Sequence, residues 1–236
     1  GKLPETNTKI DLKLNDESSL ESLMNASNND KVASVTYTRT NMSSGAWGTI
    51  CLPFDAQSDE NVKFYQLGEV DFEKNVMTFE ALEGVVAANT PCVIQKLSDT
   101  NNLEIRAAGM AHPAVDLTKN LGNDWSVIGT YEKTNVYVTE ETPNLYYIAS
   151  NKFKYAVEYF VLKPFRAYFK YDGFVSSSAA SARFSVEVAD EFATGINSAS
   201  VEAQEEGVLY DLAGNRVNNM VKGQVYILNG NKVMFK

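Results

Sequence analysis

Short apolar runs with period-two alternation recur along the chain, and they predict strands rather than helices. Ile10, Leu12 and Leu14 alternate with Asp11 and Lys13. In Val35-Thr36-Tyr37-Thr38-Arg39 the threonines share one face. Residues 64–79 read as a hairpin, FYQLGEVDF and VMTF around the turn EKN. Further strands are predicted at 91–97, 102–107, 125–131, 134–138, 144–149, 157–162, 165–171 and 181–188. Asn, Gly and Thr crowd the gaps, and the 22 asparagines supply turn chemistry. Turn signals recur about every 8–12 residues, the spacing of a sandwich or barrel.

In Trp47-Gly48-Thr49-Ile50-Cys51-Leu52 both faces are largely apolar. That pattern predicts a central strand buried between two layers, stopped by Pro53, which lacks a ladder donor. Helix signals are few. Ser18-x-x-Glu21 is a capping box and predicts a helix at 17–26 with Leu20, Leu23 and Met24 on one face. A further helical turn is predicted at 58–64 with Ser58 as its N-cap. Both are expected to cap open sheet ends. Arg166, between Phe165 and Ala167 in a half-buried run, needs a carboxylate or carbonyl partner.

The fold class expected is all-β: an antiparallel β-sandwich-like domain with few short helices over 1–192, and a small C-terminal β tail. Residues 193–206 lose their apolar positions and read as a linker. Strand character returns over 207–236, where Asn229-Gly230 between alternating runs signals a type I′ hairpin.

Composition narrows the chemistry. The chain has 236 residues, 44% hydrophobic and 22% charged, which is ordinary globular composition. Its net charge of −9 argues against a nucleic-acid partner. No apolar run has the length of a membrane helix. The opening Gly1-Lys2-Leu3-Pro4-Glu5-Thr6-Asn7 has neither a charged n-region nor an apolar h-region, so no signal peptide is read in it. One His and two Cys leave a zinc site short of ligands, and neither metal nor cofactor is expected. Cys51 and Cys92 each lie in an apolar strand-like run and read as buried free thiols in preference to a disulfide.

Nucleotide-loop, nucleophile-elbow, zincin and C-x-x-C motifs are missing from the sequence. His112, in MAHPAV, reads as a loop histidine and not a general base. The oxygen-rich segments 98–104 and 122–125 lack EF-hand spacing and read as solvated turns. Two carboxylates suffice for glycoside hydrolysis, but no acidic residue stands out in an aromatic strand. The aromatic inventory is richer, with 2 Trp, 12 Tyr and 12 Phe. Trp47, Trp125, Tyr146 and Tyr147 are the candidate ligand-binding residues, because flanking Asn and Asp would hydrogen-bond a sugar whose ring stacks on them. Core packing is the competing reading for each Trp. Adjacent Tyr146 and Tyr147 must point to opposite faces.

Several segments resemble a recurrent module of secreted and surface proteins of Bacteroidetes. VTYTRTNMSSGAWGTICLPFDA (35–56) is similar to its Arg-Thr strand followed by W-x-T-x-x-L-P-F. AANTPCVIQ (87–95) is similar to its A-G-x-P strand, with Asn89 and Cys92 as departures. WSVIGTY, LYYIASNKF and PFRAYF resemble its later strands. Residues 193–236 are similar to its terminal block T-G-I…Y-D-L-x-G…K-G-x-Y-I-x-N-G-x-K-V, with Asn215 and Asn231 replacing basic residues. The resemblance implies a non-catalytic adhesion or interaction module, secreted or at the outer cell surface, whose partner is a host or bacterial surface protein or glycan. A carbohydrate-binding module of a glycan-utilisation system is the alternative. The terminal block is also similar to sorting tails of exported proteins. A glycan binder is expected to show exposed aromatics on one face. An adhesion module is expected to show an apolar patch or an open sheet edge.

Overall fold

A computed structural model describes residues 9–28, 32–175, 183–188, 209–210, 216–217, 225–228 and 231–234. The chain divides into two compact units, 1–189 and 190–236. The first unit is an all-β, sandwich-like fold built from one long curled sheet and a smaller sheet packed on it.

The smaller sheet has the order β1 (Ile10–Asn15), β2 (Val32–Arg39), β9 (Leu103–Ala107). Here β2 and β9 are antiparallel, but β1 and β2 run parallel. Parallel neighbours need a crossover, and α1 (Leu20–Asn28) supplies it. The helix is therefore the crossover connection, and it packs Leu23 into the core. It starts later than the capping box predicts. Ser19 is the N-cap, its Oγ accepting from Ser22 N at 3.2 Å, while Ser18 Oγ is used by Asn15 N in the preceding turn. The helical turn predicted at 58–64 is replaced by strand from Val62. Asp59 accepts from the amides of Asn61 and Val62, and Ser58 Oγ accepts from Phe64 N.

The long sheet has ten strands. β10 (Thr118–Gly122), β11 (Trp125–Thr130), β16 (Arg166–Tyr171), β13 (Leu145–Ala149) and β14 (Lys152–Tyr155) form one half in that order. β17 (Arg183–Val188) follows, and then β6 (Val76–Ala81), β5 (Val62–Asp71), β8 (Cys92–Lys96) and β3 (Trp47–Ile50). Every pairing is antiparallel except β17 with β6, which is parallel.

β3 is the last strand in pairing order, so it is not the central strand its two apolar faces predict. It is buried all the same, because the sheet curls until the free edge of β3 meets β16. Thr49 Oγ1 donates to Ala167 O at 2.7 Å and accepts from Ala167 N at 2.9 Å, so one hydroxyl substitutes for a ladder rung. Cys51 N donates to Phe165 O at 3.1 Å, and Trp47 N donates to Asn151 Oδ1 at 3.0 Å. Edge donors that would otherwise be unpaired are satisfied in this way. Close approach here needs a small neighbour: a Cβ on Gly129 would lie 2.7 Å from Cys51 Sγ.

Curling makes two main cores. The concave side encloses Phe79, Trp125, Tyr146, Phe153, Phe169 and Phe184. The convex side of β3, β5 and β8 packs Ile50, Phe64 and Ile94 against Val35, Tyr37 and Ile105 of the smaller sheet. A third, smaller cluster lies under the ribbon β12 (Thr134–Tyr137) and β15 (Tyr159–Leu162), where Val136, Phe160 and Leu162 meet Leu145. A two-residue pair, β4 (Ala56–Gln57) and β7 (Val85–Val86), completes the unit.

Asparagine does the turn work its abundance predicts. Asn41, Asn75, Asn89, Asn123 and Asn151 all have positive φ. Asn89, at φ 63°, stands where the resembling pattern has glycine, and it tolerates the left-handed conformation that position requires. Phe165, at φ 61° and fully buried, forms the corner into β16. Arg166 follows it with its charge matched: Nη2 donates to Asp16 Oδ1 at 2.6 Å, and Nη1 donates to Tyr37 OH and to Pro164 O.

The second unit has a four-stranded sheet of order β19 (Arg216–Val217), β18 (Leu209–Tyr210), β20 (Val225–Leu228), β21 (Asn231–Met234). β20 and β21 pair antiparallel, with Leu228 opposite Asn231. The Asn229-Gly230 turn and the 193–206 linker lie outside the described residues.

Candidate functional site

The four aromatic residues singled out in the sequence do not form a shared surface. Trp125 points into the concave core, its ring 4.8 Å from Tyr171 and 5.1 Å from Tyr146. It is 5% exposed and Tyr146 is 0% exposed, so neither ring has a face open to a ligand. That corrects their candidacy: large rings are the pieces that fill the inside of a curled sheet. Burial also raises the Tyr146 phenol above its ordinary pKa. Trp47 is half-buried at the mouth of the same core, 4.9 Å from Tyr65 and 5.4 Å from Phe79. Tyr147 lies on the opposite face from Tyr146, as strand alternation requires, stacked on Phe160 at 4.6 Å and 15°.

Two other features present surface. The first is a groove along β9. This strand ends the smaller sheet, and its outer edge has no ladder partner among the described residues. A cavity of about 780 Å³ is lined by the unbroken run from Ile105 to Ala111, with Phe54, Val62 and Val85 opposite. Ile105, Arg106 and Ala107 come from the end of β9, and Ala108 to Ala111 from the segment that follows it. A second cavity of about 580 Å³ continues it through the shared residues Asp59 and Arg106, and is lined by Asn61, Ser98, Asn102 and Glu104. The groove therefore runs from an end of mixed lining, with Asp55, Gln57 and Asp59 among its apolar residues, to a polar end. The polar wall is held by Lys96, fully buried, whose Nζ donates to the carbonyls of Ser98 and Thr100. Arg106 Nη2 pairs with Glu104 Oε2 at 2.8 Å on the exposed face of β9.

The second feature is the outer face of the β12–β15 ribbon. Tyr137 and Tyr159 are directly opposed across the strands. Their ring centroids are 5.7 Å apart with planes at 29°, and the residues are 59% and 57% exposed. Sequence reading passed over both. The alternation Val136-Tyr137-Val138 did place Tyr137 opposite its apolar neighbours. In Tyr159-Phe160-Val161-Leu162, however, all four positions are apolar or aromatic, so nothing local says which pair faces water.

The remaining reactive groups are quiet. Cys51 and Cys92 are free and buried. Burial pushes the Cys51 thiol up to about 12, against a smaller opposing pull from the Tyr131 hydroxyl, and burial raises Cys92 as well. His112 is exposed in its loop, with its carbonyl accepting from Asn89 Nδ2 at 3.1 Å. Among the described residues, no three His, Cys, Asp or Glu side chains are grouped to hold a metal ion. No described helix is long and apolar enough to cross a membrane.

The raised thiols set a sign for pH dependence. Near pH 9 the unfolded chain begins to lose its thiol protons, while the folded chain holds Cys51 protonated to about 12. Stability is therefore expected to be fully present below pH 9 and to fall as pH rises from there towards 12, read as the denaturation midpoint against pH. Iodoacetamide at pH 8 is expected to modify neither thiol in the native protein and both in guanidinium chloride. Labelling at native conditions would overturn the buried placement.

No family model matches the chain, and neither a curated protein nor a solved structure matches it.

Proposed function

We propose that the chain is a non-catalytic interaction module of the adhesion kind that binds an extended segment of a surface protein. The observation that carries this reading is the groove along the open edge of β9. An unpaired edge offers a row of amide and carbonyl groups that an incoming strand satisfies, and side-chain pockets at alternate positions then set specificity. At the mixed end, Val85 is exposed and offers contact to an apolar side chain. The polar end, with Asp59 and Glu104, takes basic or hydroxylated ones. Its place outside the cell rests on the likeness of segments 35–56 and 193–236 to exported modules.

The test is selection of a displayed random-peptide library on the full chain, followed by calorimetry and amide-shift mapping of the enriched peptide. The reading expects shifts and new exchange protection over Leu103–Ala107. Enrichment of no peptide, or shifts that leave this strand untouched, would reject it. The carbohydrate-binding alternative draws its support from a different place, the exposed tyrosine pair.

A further inference from the structure

The geometry of the β12–β15 ribbon points to a second binding site, and we infer that it is a stacking platform for a neutral saccharide. The ribbon is two-faced. Val136, Phe160 and Leu162 face inward and anchor it on Leu145, Tyr147 and Tyr168. Asn135, Tyr137, Tyr159 and Val161 face outward, in the cross-strand pairs Asn135 with Val161 and Tyr137 with Tyr159. All four outward residues are exposed, Val161 at 49%, and none carries a charge.

A structural role accounts for only part of this. A cross-strand aromatic pair contributes about 0.2–1 kcal/mol to its ribbon. The inward face already holds the ribbon down, and a Phe160–Tyr147 stack with planes at 15° stiffens it from beneath. Their rings stack on each other at 5.7 Å, yet both residues remain more than half exposed, so the outer side of the pair is open to a ligand.

Size decides what that is. Four residues of strand span about 13 Å, and neighbouring strands lie about 5 Å apart. A face of that size is far below the roughly 800 Å² per partner that a stable protein complex buries. It suits one or two sugar rings. Pyranose rings present patches of C–H bonds whose partial positive charge meets the negative face of an aromatic ring. The phenol hydroxyls and the Asn135 amide then supply donors and acceptors at the rim of the stack. The absence of charge on the face selects neutral sugars over uronic or sulfated ones. The platform is independent of β9 and stands or falls separately from strand addition there.

The experiment is affinity electrophoresis of the full chain through gels holding a soluble β-glucan, a xylan, a mannan or an α-glucan. At least one gel is expected to retard the protein. Tyr137→Ala and Tyr159→Ala are each expected to weaken the retardation about tenfold or more, with far-UV CD unchanged and the thermal midpoint lowered by at most about 4 °C. Tyr137→Phe and Tyr159→Phe keep the ring face and are expected to stay within about threefold of the parent. Retardation by none of the four polysaccharides overturns the inference. So does retardation that survives both alanine variants. An Arg106→Ala variant on β9 is expected to bind as the parent does, and loss of binding there would move the saccharide to the groove.

Discussion

Trp125→Ala is expected to lose about 3–5 kcal/mol of unfolding free energy. The indole sits at the meeting point of both halves of the curled sheet. It touches Phe72 from the β5–β6 turn, Tyr171 on β16, and Tyr146 and Phe153 on β13 and β14. These neighbours are themselves ring-stacked, so they cannot collapse into the space without breaking their own contacts. The cost therefore includes the cavity as well as the lost transfer energy. Urea unfolding followed by far-UV CD measures it. A loss below about 1 kcal/mol would show that the ring is not enclosed as described. The same substitution tests whether Trp125 touches a ligand. Under conditions where the variant is folded, its saccharide retardation is expected to match the parent, because the ring has no open face.

The second large effect belongs to Asp16. Its carboxylate receives the buried Arg166 guanidinium at 2.6 Å and stands 3.4 Å from Lys163 Nζ. Asp16→Ala leaves the Arg166 charge buried beside the Tyr37 hydroxyl with no counter-ion, and is expected to cost about 3–5 kcal/mol. Arg39 aggravates the loss. Its guanidinium is held to about 10 by burial first and by the Arg166 charge second, so it adds repulsion to an already unpaired site. Arg166→Met in the Asp16→Ala background is expected to restore most of the stability, since replacing a buried pair with apolar groups is often nearly neutral. A double-mutant cycle by urea denaturation gives the coupling. A coupling near zero would mean that solvent, not Asp16, satisfies Arg166. By contrast, the Lys163–Asp16 contact is solvent-exposed on the lysine side, and Lys163→Ala is expected to change little.

Much of the fold was legible because alternation and turn residues are local signals. The strands around Leu103, Thr134 and Leu145 fall within a residue or two of where their patterns place them. The need of Arg166 for a partner was readable from burial alone, but not that the partner is Asp16, 150 residues earlier. Pairing order was not readable either. Nothing in IDLKLN says that it lies parallel to VASVTYTR, because a parallel neighbour is chosen by the crossover and not by the strand. The two apolar faces of β3 were read as a central strand. Its burial was right and its position was not, since sheet closure through Thr49 encloses an end strand as fully as a middle one. Trp125 and Tyr146 are enclosed by the protein for a related reason. Residue type says that a ring wants cover, and only the curl of the sheet says whether protein or ligand provides it.

The place of β17 has a consequence for the order in which this unit forms. The strand comes last in the chain of its unit but sits in the middle of the sheet, paired on one side with β14 and on the other with β6. Until residue 188 has left the ribosome, the two halves of the sheet lack their ladder connection and meet only through the contacts of β3 with β16. Each waits with an open, ladder-competent edge, which is the kind of edge that recruits foreign strands. The joining step also brings together segments about a hundred residues apart, so it belongs to the slow, non-local class of folding events. A chain cut short before β17 would have nearly all of its core side chains but no ladder joining the two halves of its long sheet. Premature termination or proteolysis in that short stretch is thus disproportionately damaging, and holding the chain unfolded until it is complete is the condition most favourable to its assembly.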